Sequence, residues 1–357
     1  MLLKTFQAQF PQLKFKADES LAKHTPVGIG GPAEVFYVAE KIADLVKVLE
    51  FCNRKMIVYT VIGWGANTLF ADRGIKGLVI QNKTKELAIS QTYQDAKITL
   101  NEQEKTLKTR WQPPKTQLTN LEPVGSEFKL ATVAAGAPLS WVISFLAKQN
   151  LVGLEHFTKI PATIGGAIYN NIHGNQYFFS QFLTQVKVFD PKEGVKTLEA
   201  SQLDFAYDYS RFHQSNEVIL EATLKVWLGN SQKASATIAA ITQQKINQPV
   251  RSLGCVWKNL SEEQQLKLKL PTTSVGYLID QKLHLSGLRI GDALISPQHA
   301  AFIENVGQAT AADYLTLMVK VTEEALTQFG VKLEPEIFFK GFEETELAGL
   351  NLKSDNR

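Results

Sequence analysis

The chain is poor in cysteine, and neither of its two thiols, Cys52 and Cys255, has a second Cys or a His at a metal-ligand spacing. A disulfide framework is thereby excluded, and no metal is expected. No apolar run approaches the ~20 residues that cross a bilayer. The N-terminal MLLKTFQAQFPQLKF has neither the apolar core nor the small-residue cleavage site of a signal peptide, so the expected compartment is the cytoplasm. Lys and Arg number 38 against 35 Asp and Glu and are interspersed with them, which leaves no basic stripe for nucleic acid. The net charge of +3 suits a small anionic substrate. A G-x-S-x-G elbow for nucleophilic hydrolysis is absent too. What is present is ordinary globular composition, 44% hydrophobic and 20% charged over 357 residues, enough for about two or three domains.

Apolar spacing supplies the elements. In ADLVKVLEFCNRK, Leu45, Leu49 and Cys52 fall at i, i+4 and i+7, which predicts a helix with Cys52 in the core. IVYTVI (57–62) and GLVIQ (77–81) read as strands. The polar stretch 91–127, with Pro113 and Pro114, reads as an exposed hairpin or loop insertion. Beyond it come a strand in KLATVAAG, a helix in PLSWVISFLAKQN with Pro138 near its first turn, and strands in VKVFD and VILEATLKVWL around a less regular segment. A helical connection over 235–247 follows. Thr310 as N-cap, Asp313 three residues on, apolar Tyr314, Leu317, Met318 and Val321, and Gly330 at the end predict a helix over 310–329. KLEPEIFFKGF reads as a closing strand.

Three glycine clusters stand beside short strands: GIGGPA (28–33), GWGAN (63–67) and TIGGA (163–167). Glycine makes tight turns, and it also lets backbone N–H groups face a phosphate at close range. GIGGPA formally fits the dinucleotide fingerprint, but no strand precedes it and EVFYVAE after it reads as strand, so a Rossmann site is not expected. Toward the C-terminus, Cys255, Lys258, Asn259, His299, Glu334 and Glu336 bring a proton donor, a cation and acids. Each also has a plain structural explanation as a buried thiol, a satisfied histidine or a solvated acid. Read on their own, the residues reach no further than an enzyme with a diphosphate cofactor.

Seven motifs, in order from about Leu21 to Gly341, resemble those of the UDP-N-acetylenolpyruvoylglucosamine reductase (UDP-N-acetylmuramate dehydrogenase) family. They are HTPVGIGGPA, VIGWGANTLFADRGIKGLVI, GLEHFTKIPATIGGAIYNN, FAYDYSRF, QPVRSLGCVWKN, GYLIDQKLHLSGLRIGDALISPQHAAFIEN and GVKLEPEIFFKG. The resemblance implies an α+β protein: a two-part FAD-binding module of the vanillyl-alcohol-oxidase type, then a C-terminal α+β substrate-binding domain. The expected limits are 1–82 and 83–233 for the FAD subdomains, 234–345 for the substrate domain and 346–357 for a tail. It implies NADPH as reductant, a nucleotide-sugar substrate and a role in peptidoglycan precursor synthesis, with no protein partner inferable. Noncovalent FAD is expected on the backbone of Gly63, Gly65, Ala66, Asn67, Thr163, Gly165 and Gly166, because neither turn holds a His or Cys for attachment.

In such enzymes a hydride passes from NADPH through the flavin to the enolpyruvyl double bond, and a serine protonates the neighbouring carbon. Position 255 is that serine's place. Here it is a cysteine, whose thiol, with an ordinary pKa of ~8.5, is a far stronger acid than an alcohol. The resemblance carries the catalytic glutamate to Glu336, the carboxylate-contacting position to His299, and substrate contacts to Tyr207, Lys258 and Asn259. Three departures stand out. Gly65-Ala66-Asn67 replaces G-S-N, Pro161-Ala162-Thr163 replaces P-G-T, and Asp208 follows Tyr207 where the family has an arginine that polarises the substrate carboxylate. Arg211 is expected to fill that role, although a plain strand would turn it to the opposite face. An oxidase of the same flavin fold, or a nucleotide-sugar binder without catalysis, are the competing readings.

Overall fold

The computed structural model describes residues 1–94, 123–175 and 177–350. Their contacts divide into two compact units: 1–37, 58–80 and 247–357 in one, 38–57 and 81–246 in the other. These units run differently from the expected domains. The C-terminal region clusters with the N-terminal strands, and the connecting helix Ser231–Gln244 clusters with the middle of the chain. The expected insertion lies mostly outside the described residues. Its ends are strand: Tyr93–Gln94 pairs antiparallel with the first half of Pro123–Ala134.

The first unit holds a sheet ordered Phe15–Ser20, Pro32–Ala39, Ile75–Asn82, Tyr59–Ile62, and an antiparallel sheet ordered Ser252–Cys255, Phe302–Asn305, Ala293–Ile295, Arg289–Ile290. Its core contains Trp257, Tyr314, Leu317, Met318 and Val321, so one face of helix Ala311–Phe329 is buried as its apolar spacing requires. Thr310 and Asp313 form the expected capping box and Gly330 ends the helix. Asp72 adds a second cap, its carboxylate accepting from the amides of Ala311 at 2.9 Å and Ala312 at 3.1 Å. The closing strand is shorter than its sequence suggests: only Phe338–Lys340 is strand, parallel to Thr68–Phe70. Pro335 lacks the N–H needed to continue a ladder and makes only an isolated bridge with Trp257.

The second unit is built on an antiparallel sheet ordered Gly194–Glu199, Leu183–Asp190, Val218–Gly229, Pro123–Ala134, Leu87–Ile89. The segment expected to be irregular contributes its edge strand. Asp190 turns the hairpin by accepting from the amide of Lys192 at 2.7 Å. Helices Leu139–Lys148 and Ile164–Tyr169 bury Val142, Ile143, Leu146 and Ile168 in this unit's core. In Ile42–Arg54 the predicted face, Leu45, Leu49 and Cys52, is buried, and burial pushes the Cys52 thiol up to about 12. No helix among the described residues is long and apolar enough to cross a membrane.

Candidate active site

In the first unit the turn after strand Tyr59–Ile62 holds Gly65 at φ +61, buried, where an added Cβ would lie 2.8 Å from the His24 carbonyl oxygen. Only glycine fits there. No acceptor among the described residues takes the amides of Gly65, Ala66 or Asn67, so this turn presents backbone donors as a diphosphate group requires. Thr163, Gly165 and Gly166, in the second unit, behave differently. TIGGA is the first turn of a short helix, with Thr163 as its cap. The Gly165 amide donates to Ala135 O at 2.7 Å and the Gly166 amide to Thr163 Oγ1 at 3.2 Å. Those two amides are committed inside the protein, which is a correction to the cradle expected from the glycines. What glycine allows at 165 is close approach: a Cβ there would meet Ala135 Cβ at 3.0 Å.

Cys255 ends its strand, half-buried, opposite Phe302. Gly254 before it has φ +82, in the left-handed region that favours glycine. The segment after it is strapped to the LEPE segment by the Glu336 amide on Val256 O at 2.8 Å and the Lys258 amide on Glu334 O at 2.9 Å. Glu336 is tied on its other side as well, since its carbonyl accepts from Asn67 Nδ2 at 3.3 Å and the next-but-one amide, of Phe338, donates to Asn67 O at 2.9 Å. The structure thus brings Asn67, Cys255, Lys258 and Glu336 onto one hydrogen-bonded strap. Asn259 is exposed, its Oδ1 receiving the Val275 amide at 3.2 Å. His299 lines a cleft with Ser274, Tyr277, Asp280, Gln281 and Gln298. Burial holds its imidazole below the usual range, and its Nδ1 has no partner among the described residues.

Tyr207, Asp208 and Arg211 lie in the second unit. Tyr207 stacks on His173, ring centroids 5.2 Å apart. Asp208 is 4% exposed, sits at φ +50, and points Oδ1 toward His173 Nε2 at 3.9 Å. Arg211 is spent elsewhere. Its guanidinium grips buried Glu217 through Nε at 3.1 Å and Nη2 at 3.2 Å, and Nη1 donates to the Gln202 carbonyl at 3.1 Å. A fork held so by a carboxylate is a structural clamp, and the substrate-carboxylate role expected of Arg211 does not follow from it.

Sequence reasoning missed three residues here. His173 lies just past the TIGGA motif, in NNIHGN. Lys245 follows a polar helix end. Tyr314 was read only as core, but its wholly buried hydroxyl has no partner among the described residues. Burial first, and the neighbouring Cys255 charge second, push the Tyr314 phenol up. The IHG run is the one local signal among these.

Residues 244–339 match the family profile of the UDP-N-acetylenolpyruvoylglucosamine reductase C-terminal domain, and residues 115–199 match that of an FAD binding domain. A UDP-N-acetylenolpyruvoylglucosamine reductase of Agathobacter rectalis is 29% identical over 347 positions, covering 94% of this chain and 96% of that one. One from Listeria welshimeri is 29% identical over 338, covering 94% and 98%. The crystal structure of the Thermus caldophilus enzyme of that name superposes with a TM-score of 0.66 at 26% identity, covering 92% of this chain and 98% of that one. The glycine turn, Cys255 and the LEPE glutamate lie on one strap, and these matches span both chains nearly end to end, so the chain is similar over nearly its whole length to UDP-N-acetylenolpyruvoylglucosamine reductases.

Proposed function

We propose that this chain is an NADPH-dependent flavoenzyme that reduces UDP-N-acetylglucosamine enolpyruvate to UDP-N-acetylmuramate, a cytoplasmic step of peptidoglycan precursor synthesis. The observation that carries the reading is the double tie of Glu336, amide to Val256 and carbonyl to Asn67, which joins the backbone of the LEPE segment to the residue after Cys255 and to the glycine turn. When bound, FAD supplies the hydride relay from NADPH to the enolpyruvyl double bond. Gly65, Ala66 and Asn67 offer its diphosphate their amides.

Cys255 holds the proton. As hydride reaches one carbon of the double bond, negative charge grows on its neighbour, and the Sγ–H delivers a proton there and leaves a thiolate. Solvent returns that proton before the next turnover. The Glu336 carboxylate, on the same strap, steadies the reacting end, while Lys258 and Asn259 hold the nucleotide-sugar diphosphate and Tyr207 and His299 orient the substrate. The partner in this reading is a small molecule, with neither nucleic acid nor membrane required.

The test is anaerobic mixing of the flavin-loaded protein with NADPH, then with substrate. Bleaching followed by recovery of the visible flavin band, with UDP-N-acetylmuramate formed, is the expected result. A second reading, a nucleotide-sugar binder without turnover, is favoured by the buried acid at 208 and the clamped Arg211. Binding of the substrate with no recovery of the band selects it.

A further inference from the structure

Tyr314 carries a hydroxyl that the fold buries without a partner. It is the fourth residue of helix Ala311–Phe329 and is wholly buried, in the core against which Cys255 packs. Its oxygen has no hydrogen-bond partner among the described residues. A second buried donor in that core, Trp257 Nε1, is satisfied by Thr322 Oγ1 at 3.3 Å. A phenol shut away from water without a partner is costly, and a phenylalanine ring would fill the same space without that cost.

One packed layer joins the phenol to the thiol. The helix packs on Arg289–Ile290 and Ala293–Ile295. Ala293–Ile295 pairs with Phe302–Asn305, and Phe302 lies opposite Cys255. All of these residues belong to the same unit. Burial, and after it the charge of Cys255, push the phenol up, so it keeps its proton when Cys255 loses its own. A thiolate at the edge of an apolar core needs a donor, and the sulfur turns about a single torsion with three staggered positions.

We propose that Tyr314 is a positioning residue for Cys255, its hydroxyl turning to the sulfur as a hydrogen-bond donor once the thiol has given up its proton. The role rests on the reductase reading above, in which Cys255 passes through a thiolate in every turnover. The phenol itself gives up no proton: that of Cys255 goes to the substrate carbon, the sulfur keeps the electron pair, and solvent restores the thiol. A bond absent from the resting thiol and made to the thiolate favours the charged state alone, which makes Cys255 a stronger acid.

Tyr314→Phe keeps the ring and removes the donor. In flavin-loaded protein without substrate, the pH midpoint for alkylation of Cys255 by iodoacetamide rises by about one unit in this variant, a tenfold loss of acid strength. Lys258, His299, Glu304, Glu334 and Glu336 lie on the segments that flank Cys255 and stay in place, so the shift reports the phenol. In stopped flow, reduction by NADPH stays within about twofold of wild type, and reoxidation by substrate slows about tenfold. Adding Tyr314→Phe to Cys255→Ala slows reoxidation no further, as a group acting through the thiol requires.

A wild-type alkylation midpoint in Tyr314→Phe overturns the role, and a raised urea midpoint beside it marks the hydroxyl as a packing defect. Equal losses in the two half-reactions, or a further loss in the double variant, overturn it as well. Failure of wild-type protein to reoxidise with substrate refutes the reductase reading instead, and the alkylation profile, measured without substrate, still decides whether phenol and thiolate interact.

Discussion

The side-chain amide of Asn67 donates to the main-chain carbonyl of Glu336, 269 residues later in the chain, at 3.3 Å. This contact joins the turn with open amides to the segment that also grips Val256, next to Cys255. Asn67→Asp sets an acceptor against an acceptor, so it costs more than the ~1 kcal/mol of a lost neutral hydrogen bond. Asn67→Ala loses only that bond. Flavin retention after ultrafiltration and the reoxidation rate both rank wild type above Ala above Asp. Equal behaviour of Ala and Asp removes the contact from any positioning role.

Gly65→Ala strains the same turn by another route. At φ +61 the new Cβ meets the His24 carbonyl oxygen at 2.8 Å and Thr25 Cγ2 at 2.9 Å. The strain is of the order of 1–3 kcal/mol, and relieving it rotates the open amides of the turn. The variant is expected to purify with little flavin and to bind added FAD at least tenfold more weakly in a fluorescence titration. Stoichiometric flavin at wild-type affinity contradicts the use of this turn.

Much of this arrangement is visible in the sequence wherever local pattern and tertiary demand agree. The Ala311–Phe329 helix is marked by its cap, its apolar stripe and its terminal glycine, and the buried face of Ile42–Arg54 by simple spacing. GVKTLE hides its strand because an edge strand with an exposed face needs few apolar residues. TIGGA hides its helix because two glycines mask a Thr163 cap that works only once Ala135 and Ala137 accept the following amides. Arg211 is misread for a different reason. Glu217 is buried beside it, and burial is a property of the finished unit.

Acidification tests the two depressed histidines. His299 is held low by burial, and His173 by burial and then by Lys245. The unfolded chain takes up protons on these rings near pH ~6.5, whereas the folded chain does so only at lower pH. The unfolded state therefore binds more protons in that window, and stability rises with pH across it. The contribution is complete above the unfolded value, is lost progressively as pH falls toward the folded values, and is constant below them. Urea midpoints are expected to drop between about pH 7 and pH 5. His173→Gln combined with His299→Gln flattens that slope, and an unchanged slope assigns it to other groups.

The two thiols differ in what the fold allows them to do. Cys52 is fully buried with its thiol pushed up to about 12, so it holds almost no nucleophilic thiolate. Cys255 is half-exposed at a strand end, after a left-handed glycine. Native protein treated with iodoacetamide is expected to gain one carbamidomethyl group, at Cys255 by peptide mass, and substrate should slow that reaction. Substitution then separates packing from chemistry. Cys255→Ala removes a proton that is needed only after hydride leaves for the substrate, so bleaching by NADPH continues at the wild-type rate while reoxidation slows by ~10² or more. Cys255→Ser recovers much of the rate, because a hydroxyl held on the same strap can donate if Lys258 or Glu336 steadies what it becomes. A thiol that only filled space would lower stability in both variants and spare reoxidation in both. Wild-type reoxidation in Cys255→Ala therefore removes Cys255 as the donor and makes Glu336, acting through a water, the next residue to vary.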